Sequence, residues 1–164
     1  TALMGLAAEQ KYSKSYSSIA RAIRMFCAPD RIEHSLSQLF AIVTLSCIVG
    51  NGDAHLKNFG LLYANPALGD ARLAPAYDIV NTTAYIPDDV LALDLIGNKS
   101  MFASRQGLLE FAQLCAVEQP QEVIRTQLQA LEQVLASSGE VTEQAQHVVT
   151  AIQKSADPFR QTFG

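Results

Sequence analysis

The chain has 164 residues, 49% of them hydrophobic and 17% charged. That is long and apolar enough for one globular domain and excludes a disordered one. A net charge of −4 and an isoelectric point near 5.3, with twelve scattered Lys and Arg, supply no basic stripe, so strong direct nucleic-acid binding is not expected. Cys27, Cys47 and Cys115 are odd in number and share no CxxC spacing, which argues for a reducing, cytoplasmic setting without zinc. The longest apolar stretch, "LFAIVTLSCIVG" (39–50), is too short to cross a bilayer, so no membrane contact is expected. The opening "TALMGLAAEQKY" lacks an initiator Met and a basic n-region, and reads as the middle of something longer rather than as a signal peptide.

In chain order, "KSYSSIARAIRMF" (14–26) has helical spacing with Ile19, Ala22, Ile23 and Phe26 on one face. "APDRIEHSLSQLFAIVTLSCIVG" offers Asp30 as an N-cap with Glu33 three residues later, then an apolar surface nearly all the way round, ended by Gly50. A helix apolar on every side is a buried one. "VGNGDAHLKNFGLLY" (49–63) hangs from its end. "FGLLY" (59–63) and "ARLAPAYDIV" (71–80) read as two strands joined by "ANPALGD", a hairpin. "DDVLALDLIG" (88–97) reads as extended or loop. The remainder is helical: "RQGLLEFAQLCAV", "PQEVIRTQLQALEQVLASS" with Pro120 at its first position, and "TEQAQHVVTAIQKSA", with Gly139 between the last two. The expected fold is mainly α, a helical lobe carrying a small β-hairpin, as one unit over residues 1–164.

Chemistry gathers around the loop. Asp53 and Asn58 lie five residues apart, and Asp78 follows twenty residues after Asn58 at the end of the second expected strand. Phosphoryl transfer needs a carboxylate to orient or deprotonate the nucleophile, plus oxygen ligands for Mg²⁺, and protein kinases place Asp, Asn and Asp in this order. Lys57 could offset charge on the transferred group. Spacing alone leaves a second possibility open, since Asp and Asn also form turns through local backbone hydrogen bonds.

"IVGNGDAHLKNFGLLY" followed by "ARLAPAYDIVNT", with "LMGLAAEQKYSKSYSSIARAIR" upstream, resembles the C-terminal kinase domain of HipA-type serine/threonine kinases, the toxins of bacterial toxin–antitoxin pairs. The resemblance covers roughly residues 1 to 100. It implies ATP and Mg²⁺ as cofactors, Asp53 as catalytic base, and Asn58 and Asp78 as Mg²⁺ ligands. It also implies His55 and Lys57 beside the nucleotide phosphates and Tyr77 against the nucleotide. A protein Ser or Thr would be the acceptor, as on the aminoacyl-tRNA synthetase phosphorylated by one member, and a DNA-binding antitoxin the partner. In that family the ATP lysine and the phosphate-covering loop belong to an N-terminal lobe, which this chain does not supply. "IGNKS" (96–100) is no Walker motif, because Asn98 separates Gly97 from Lys99 and the upstream Gly is absent. This lobe by itself is therefore expected to be inactive.

Two other functions compete. "GNGDAHLKN" is also similar to the loop of aminoglycoside and choline kinases, but those typically end the second motif with Ile-Asp, where this chain has Tyr77 before Asp78. A non-catalytic module that docks an antitoxin or repressor is the third. A hydrolase metal site on the Asp53–His55 pair lacks a convincing further ligand set. His34 and His147 read as ordinary surface or interface residues. Asp88, Asp89, Asp94, Lys99 and Arg105 read as solvated charges, and Asn81-Thr82-Thr83 as a glycosylation pattern that a cytosolic chain would not use.

Overall fold

The computed structural model describes residue 5 and residues 10–65, 69–101 and 104–164. The residues expected at the middle of the hairpin link (66–68) and most of the upstream stretch 1–9 lie outside them. The elements are α1 (Tyr16–Phe26), a 3-10 turn (Pro29–Arg31), α2 (Ile32–Val49), a second 3-10 turn (Leu56–Asn58), β1 (Leu61–Leu62), β2 (Arg72–Leu73), α3 (Ser104–Leu114), α4 (Pro120–Ser137), α5 (Gly139–Gln144) and α6 (Gln146–Phe163). The fold is mainly α, with one two-stranded antiparallel sheet pairing Leu61 with Leu73 and Leu62 with Arg72.

Helix α2 is the axis of the molecule, packed by α1, α3, α4 and α6. Its Leu36, Leu39, Phe40, Val43, Cys47 and Ile48 are buried on several sides, as a helix apolar all round requires. With the turn before it, Pro29–Val49 is long and apolar enough to cross a membrane by length and composition. The estimate from the 39–50 stretch alone was therefore too short. In this fold the helix is enclosed by other helices rather than left to face lipid.

Asp30 is not the N-cap. Pro29 fixes a backbone already turning, so a 3-10 turn starts there and α2 follows without a side-chain cap. Asp30 instead pairs with Arg31 at 3.2 Å on the surface. In α1, Ser15 is the cap, its Oγ accepting from the Ser18 N–H at 3.2 Å. The buried face is Tyr16, Ile19, Ala20 and Ile23; Phe26 ends up exposed, because the chain turns away after it towards Pro29.

The hairpin is much shorter than its pattern suggested. The Ala74 N–H still reaches the Gly60 carbonyl at 2.8 Å, but Pro75 has no N–H to continue the ladder, and residues 75–80 run irregularly. Two polar residues of α2 hold this short sheet in place. Ser35 Oγ accepts from the Leu73 N–H at 3.2 Å, and Gln38 Nε2 donates to the Ala74 carbonyl at 2.9 Å. The segment 88–97 is non-helical as expected, yet it is core rather than surface, with Leu91, Ala92, Leu93 and Leu95 buried. The last expected helix is two: α5 and α6 break at Ala145, and α6 runs on past Pro158 to Phe163, burying Ala156, Phe159 and Phe163. Gly139 opens α5 rather than merely parting two helices.

Candidate active site

The loop after α2 begins with a left-handed residue. Gly50 has φ +72°, and its N–H and that of Asn51 return to the carbonyls of Cys47 and Ser46, closing the helix end. A Cβ at Gly50 would lie 2.5 Å from Ser155 Oγ and 2.6 Å from Thr83 Oγ1, so any side chain there strains the backbone and pushes these hydroxyls aside. Asn51 is fully buried, and its Oδ1 accepts from the Asp53 N–H at 3.0 Å. This is an Asx turn, so the turn chemistry suspected of the loop is present. It is carried by Asn51, however, and its effect is to present Asp53.

The Asp53 side chain is 44% exposed, and its Oδ1 accepts from the Tyr12 hydroxyl at 2.7 Å. His55 Nε2 lies 3.9 Å from the same oxygen, too far for a hydrogen bond. The His55 residue is only 6% exposed, lying edge-on beneath the Tyr12 ring with centroids 5.3 Å apart. Beneath the loop, the hydroxyl of the buried Tyr16 donates to the Ala54 carbonyl at 3.2 Å. Burial, and secondarily the nearby Cys47, pushes this phenol far above its ordinary range, so it remains a neutral donor.

The second half of the site forms where the 3-10 turn meets residues 77–78. Asn58 is buried, and its Nδ2 donates to Asp78 Oδ2 at 3.0 Å. Asp78 is itself left-handed, with φ +57°, a conformation Asp tolerates better than most side chains. The neighbouring Tyr77 sends its hydroxyl to the Lys57 carbonyl, tying the second motif to the first. Lys57 extends into solvent and forms no ion pair among the described residues. Of the six residues singled out in the sequence, Asp53 and His55 thus meet at one end of the loop. Asn58 meets Asp78 at the other, and Tyr77 braces the backbone of Lys57.

The donor set is all oxygen where a metal is implied. The Asn58 amide N–H holds one Asp78 oxygen, and the two side chains between them carry one further carboxylate oxygen and one amide oxygen. That suits a hard cation such as Mg²⁺, which keeps most of its waters and needs few protein ligands. The described residues contain no cluster of three His, Cys, Asp or Glu side chains, so a hydrolase-type metal centre on Asp53 and His55 finds no further ligand among them.

Several residues that hold the site were not singled out for it. Thr82 Oγ1 accepts from the Gly52 N–H at 2.8 Å and donates to the Gly50 carbonyl at 3.2 Å, and the Thr82 N–H reaches that carbonyl at 3.0 Å. Asn81 Nδ2 donates to the Val49 carbonyl at 2.6 Å and to Thr83 Oγ1 at 2.9 Å, while Thr83 Oγ1 lies 3.3 Å from Ser155 Oγ on α6. The Asn-Thr-Thr stretch is a latch on the loop's root. Its sequence signal was three hydrogen-bonding side chains in a row directly after "AYDIV". Asp89 lies over Gly52, where an added Cβ would fall 2.1 Å from its Oδ2, and its Oδ1 accepts from the Val90 N–H at 2.9 Å. Lys99 is likewise engaged, its Nζ donating to the Ala92 carbonyl at 2.9 Å.

The chain also resembles known proteins over much of its length. The chain is 33% identical over 103 residues to the "Putative kinase Y4dM" of Sinorhizobium fredii (strain NBRC 101917 / NGR234), a match covering 62% of this chain and 24% of that protein. It is 30% identical over 100 residues to a "Putative kinase" of Haemophilus influenzae (strain ATCC 51907 / DSM 11121 / KW20 / Rd), covering 57% of this chain and 27% of the relative. The match thus spans about a quarter of the length of each of these relatives. The sequence profile of the HipA-like C-terminal domain matches residues 1–154, nearly the whole chain, and the chain belongs to that family.

Proposed function

We propose that this chain is the catalytic lobe of a HipA-like serine/threonine-protein kinase, transferring the γ-phosphoryl group of ATP to a protein Ser or Thr. The observation that carries the reading is the Asn58–Asp78 contact at 3.0 Å. It joins two motifs twenty residues apart into one oxygen-rich site beside the loop that presents Asp53. The kinase names of the relatives support it.

Asp53 accepts the proton of the acceptor hydroxyl as that oxygen bonds to the γ-phosphorus and the bond from phosphorus to the ADP oxygen breaks. Asn58 and Asp78 would hold Mg²⁺, which when bound neutralises charge on the nucleotide phosphates. Lys57, free to swing from the surface, supplies a positive charge to the phosphoryl oxygens, with His55 assisting from below. Tyr77 belongs with this reading more than with a small-molecule kinase, since it braces the loop from the position before Asp78 where those enzymes typically carry Ile. A cytoplasmic setting, a DNA-binding antitoxin as partner and an N-terminal lobe that grips ATP complete the proposal.

The test is incorporation of labelled γ-phosphoryl from ATP into proteins of a bacterial extract by the full-length protein. Asp53→Asn is expected to lower incorporation on Ser and Thr by at least about a hundredfold. Undiminished labelling by that variant sinks the assignment of Asp53 as base. Label found on small molecules rather than proteins moves the assignment to the small-molecule kinases.

A further inference from the structure

We propose that Tyr12 is a positioning residue for the phosphotransfer reaction: its hydroxyl holds Asp53 Oδ1, so that Oδ2 is the oxygen that receives the acceptor's proton. The inference rests on Asp53 being the base. The Tyr12 hydroxyl donates to Asp53 Oδ1 at 2.7 Å, whereas His55 Nε2 stands 3.9 Å from the same oxygen, beyond hydrogen-bond reach.

Tyr12 reaches Asp53 across forty-one residues of sequence, and its placement is built rather than casual. The Leu56 N–H donates to the Lys11 carbonyl at 3.2 Å, docking the backbone beside Tyr12 directly on the loop. The Ser13 N–H returns to the Gln10 carbonyl at 3.1 Å, closing a turn around Tyr12, which stays 44% exposed while its hydroxyl reaches Asp53. The ring then rests on the edge of His55 at an interplanar angle of 69°, and Lys11 Nζ lies 4.7 Å from its centroid.

The backbone of Asp53 is already fixed from the other side by Asn51, which leaves rotation of a half-exposed carboxylate as the remaining freedom. A hydrogen bond to one oxygen removes that freedom and leaves the second oxygen's lone pairs open to a hydroxyl. A base must lie within hydrogen-bond reach of the proton it takes, and misplacement by about 1 Å can cost two orders of magnitude. Tyr12 therefore acts on turnover, with no part in holding the nucleotide.

Tyr12→Phe in the full-length protein keeps the ring against His55 and deletes only the hydroxyl. With labelled ATP and a bacterial extract as acceptor, kcat is expected to fall about tenfold or more while the KM for ATP stays within about twofold. Thermal stability read on the same sample guards against a folding defect. In an Asp53→Asn background the same substitution should cost nothing further, because the group it positions is no longer a base. An unchanged kcat overturns the proposal, as does a raised one, which would make Tyr12 a block on the acceptor's place. An equal loss in both backgrounds also overturns it, by making the role merely structural. If Asp53→Asn removes activity and Tyr12→Phe does not, only Tyr12's role falls; if Asp53→Asn is active, the base assignment falls and takes this inference with it.

Discussion

A single hydroxyl illustrates how the loop is held. Thr82 Oγ1 satisfies the Gly52 N–H and the Gly50 carbonyl at once, the first at 2.8 Å and the second at 3.2 Å. Thr82→Val keeps the shape and removes both bonds, leaving a part-buried N–H unpaired beside Asp53, which costs about 1–3 kcal/mol. The expected outcome is a lower urea midpoint together with a lower rate of the proposed phosphotransfer, because the Asx turn that presents Asp53 sits on this latch. A midpoint and rate both equal to the parent's would show that Gly50 holds the turn unaided. The Asp53, Asn58 and Asp78 spacing was visible in sequence, but only the family resemblance turned those residues, with His55, Lys57 and Tyr77, from possible turn formers into site candidates. Tyr12 and Thr82 were not legible, because hydrogen bonds spanning 41 and 30 residues leave no periodic trace in a chain read locally.

At the scale of elements, the two ends of the helical frame differ in what they tolerate. Ser15→Ala removes one cap bond, and the expected loss is about 1 kcal/mol, measured by urea unfolding. Gly50→Ala should cost more than that. It forces a side chain into φ +72° and drives a Cβ to 2.5 Å from Ser155 Oγ, so α6 or the latch must move. A Gly50→Ala loss no larger than that of Ser15→Ala would mean that α6 yields freely. The helices were readable because 3.6-residue periodicity, the stop at Gly50 and the helix boundaries at Pro120 and Gly139 are local signals. The hairpin was overestimated because "ARLAPAYDIV" has strand-like composition throughout, and Pro75 ends the ladder where composition alone does not. That same interruption frees residues 77 and 78 to turn, which is how Asp78 comes to face Asn58.

Across the whole molecule the core carries a titratable signature. Burial pushes the Cys47 thiol up to about 12, with a bond to Ser104 pulling slightly the other way, and the Cys115 thiol also up to about 12, opposed by Arg24. Burial raises Cys27 as well, and all three are free thiols. An unfolded thiol gives up its proton near 9.0, whereas these two core thiols keep theirs to about 12 when folded. Below pH 9 both states are protonated, and the thiols leave stability independent of pH. Above it the unfolded state binds fewer protons than the folded one, so stability falls as pH rises, and the thiol contribution is lost progressively through pH 12. Tyr16 adds to the same trend, because its raised phenol also resists ionisation in the fold. Urea midpoints should therefore hold level with respect to these groups from pH 7 to about 8.5 and drop steeply from about 9. Cys47→Ala should flatten the drop while lowering the plateau, since it leaves a small cavity beside the axis of the fold. At pH 8 the buried thiols should resist an alkylating reagent until urea opens the protein, since the thiolate is the reactive form. A midpoint flat to pH 11, or rapid alkylation of the native protein, would place these cysteines outside the core that α2 organises.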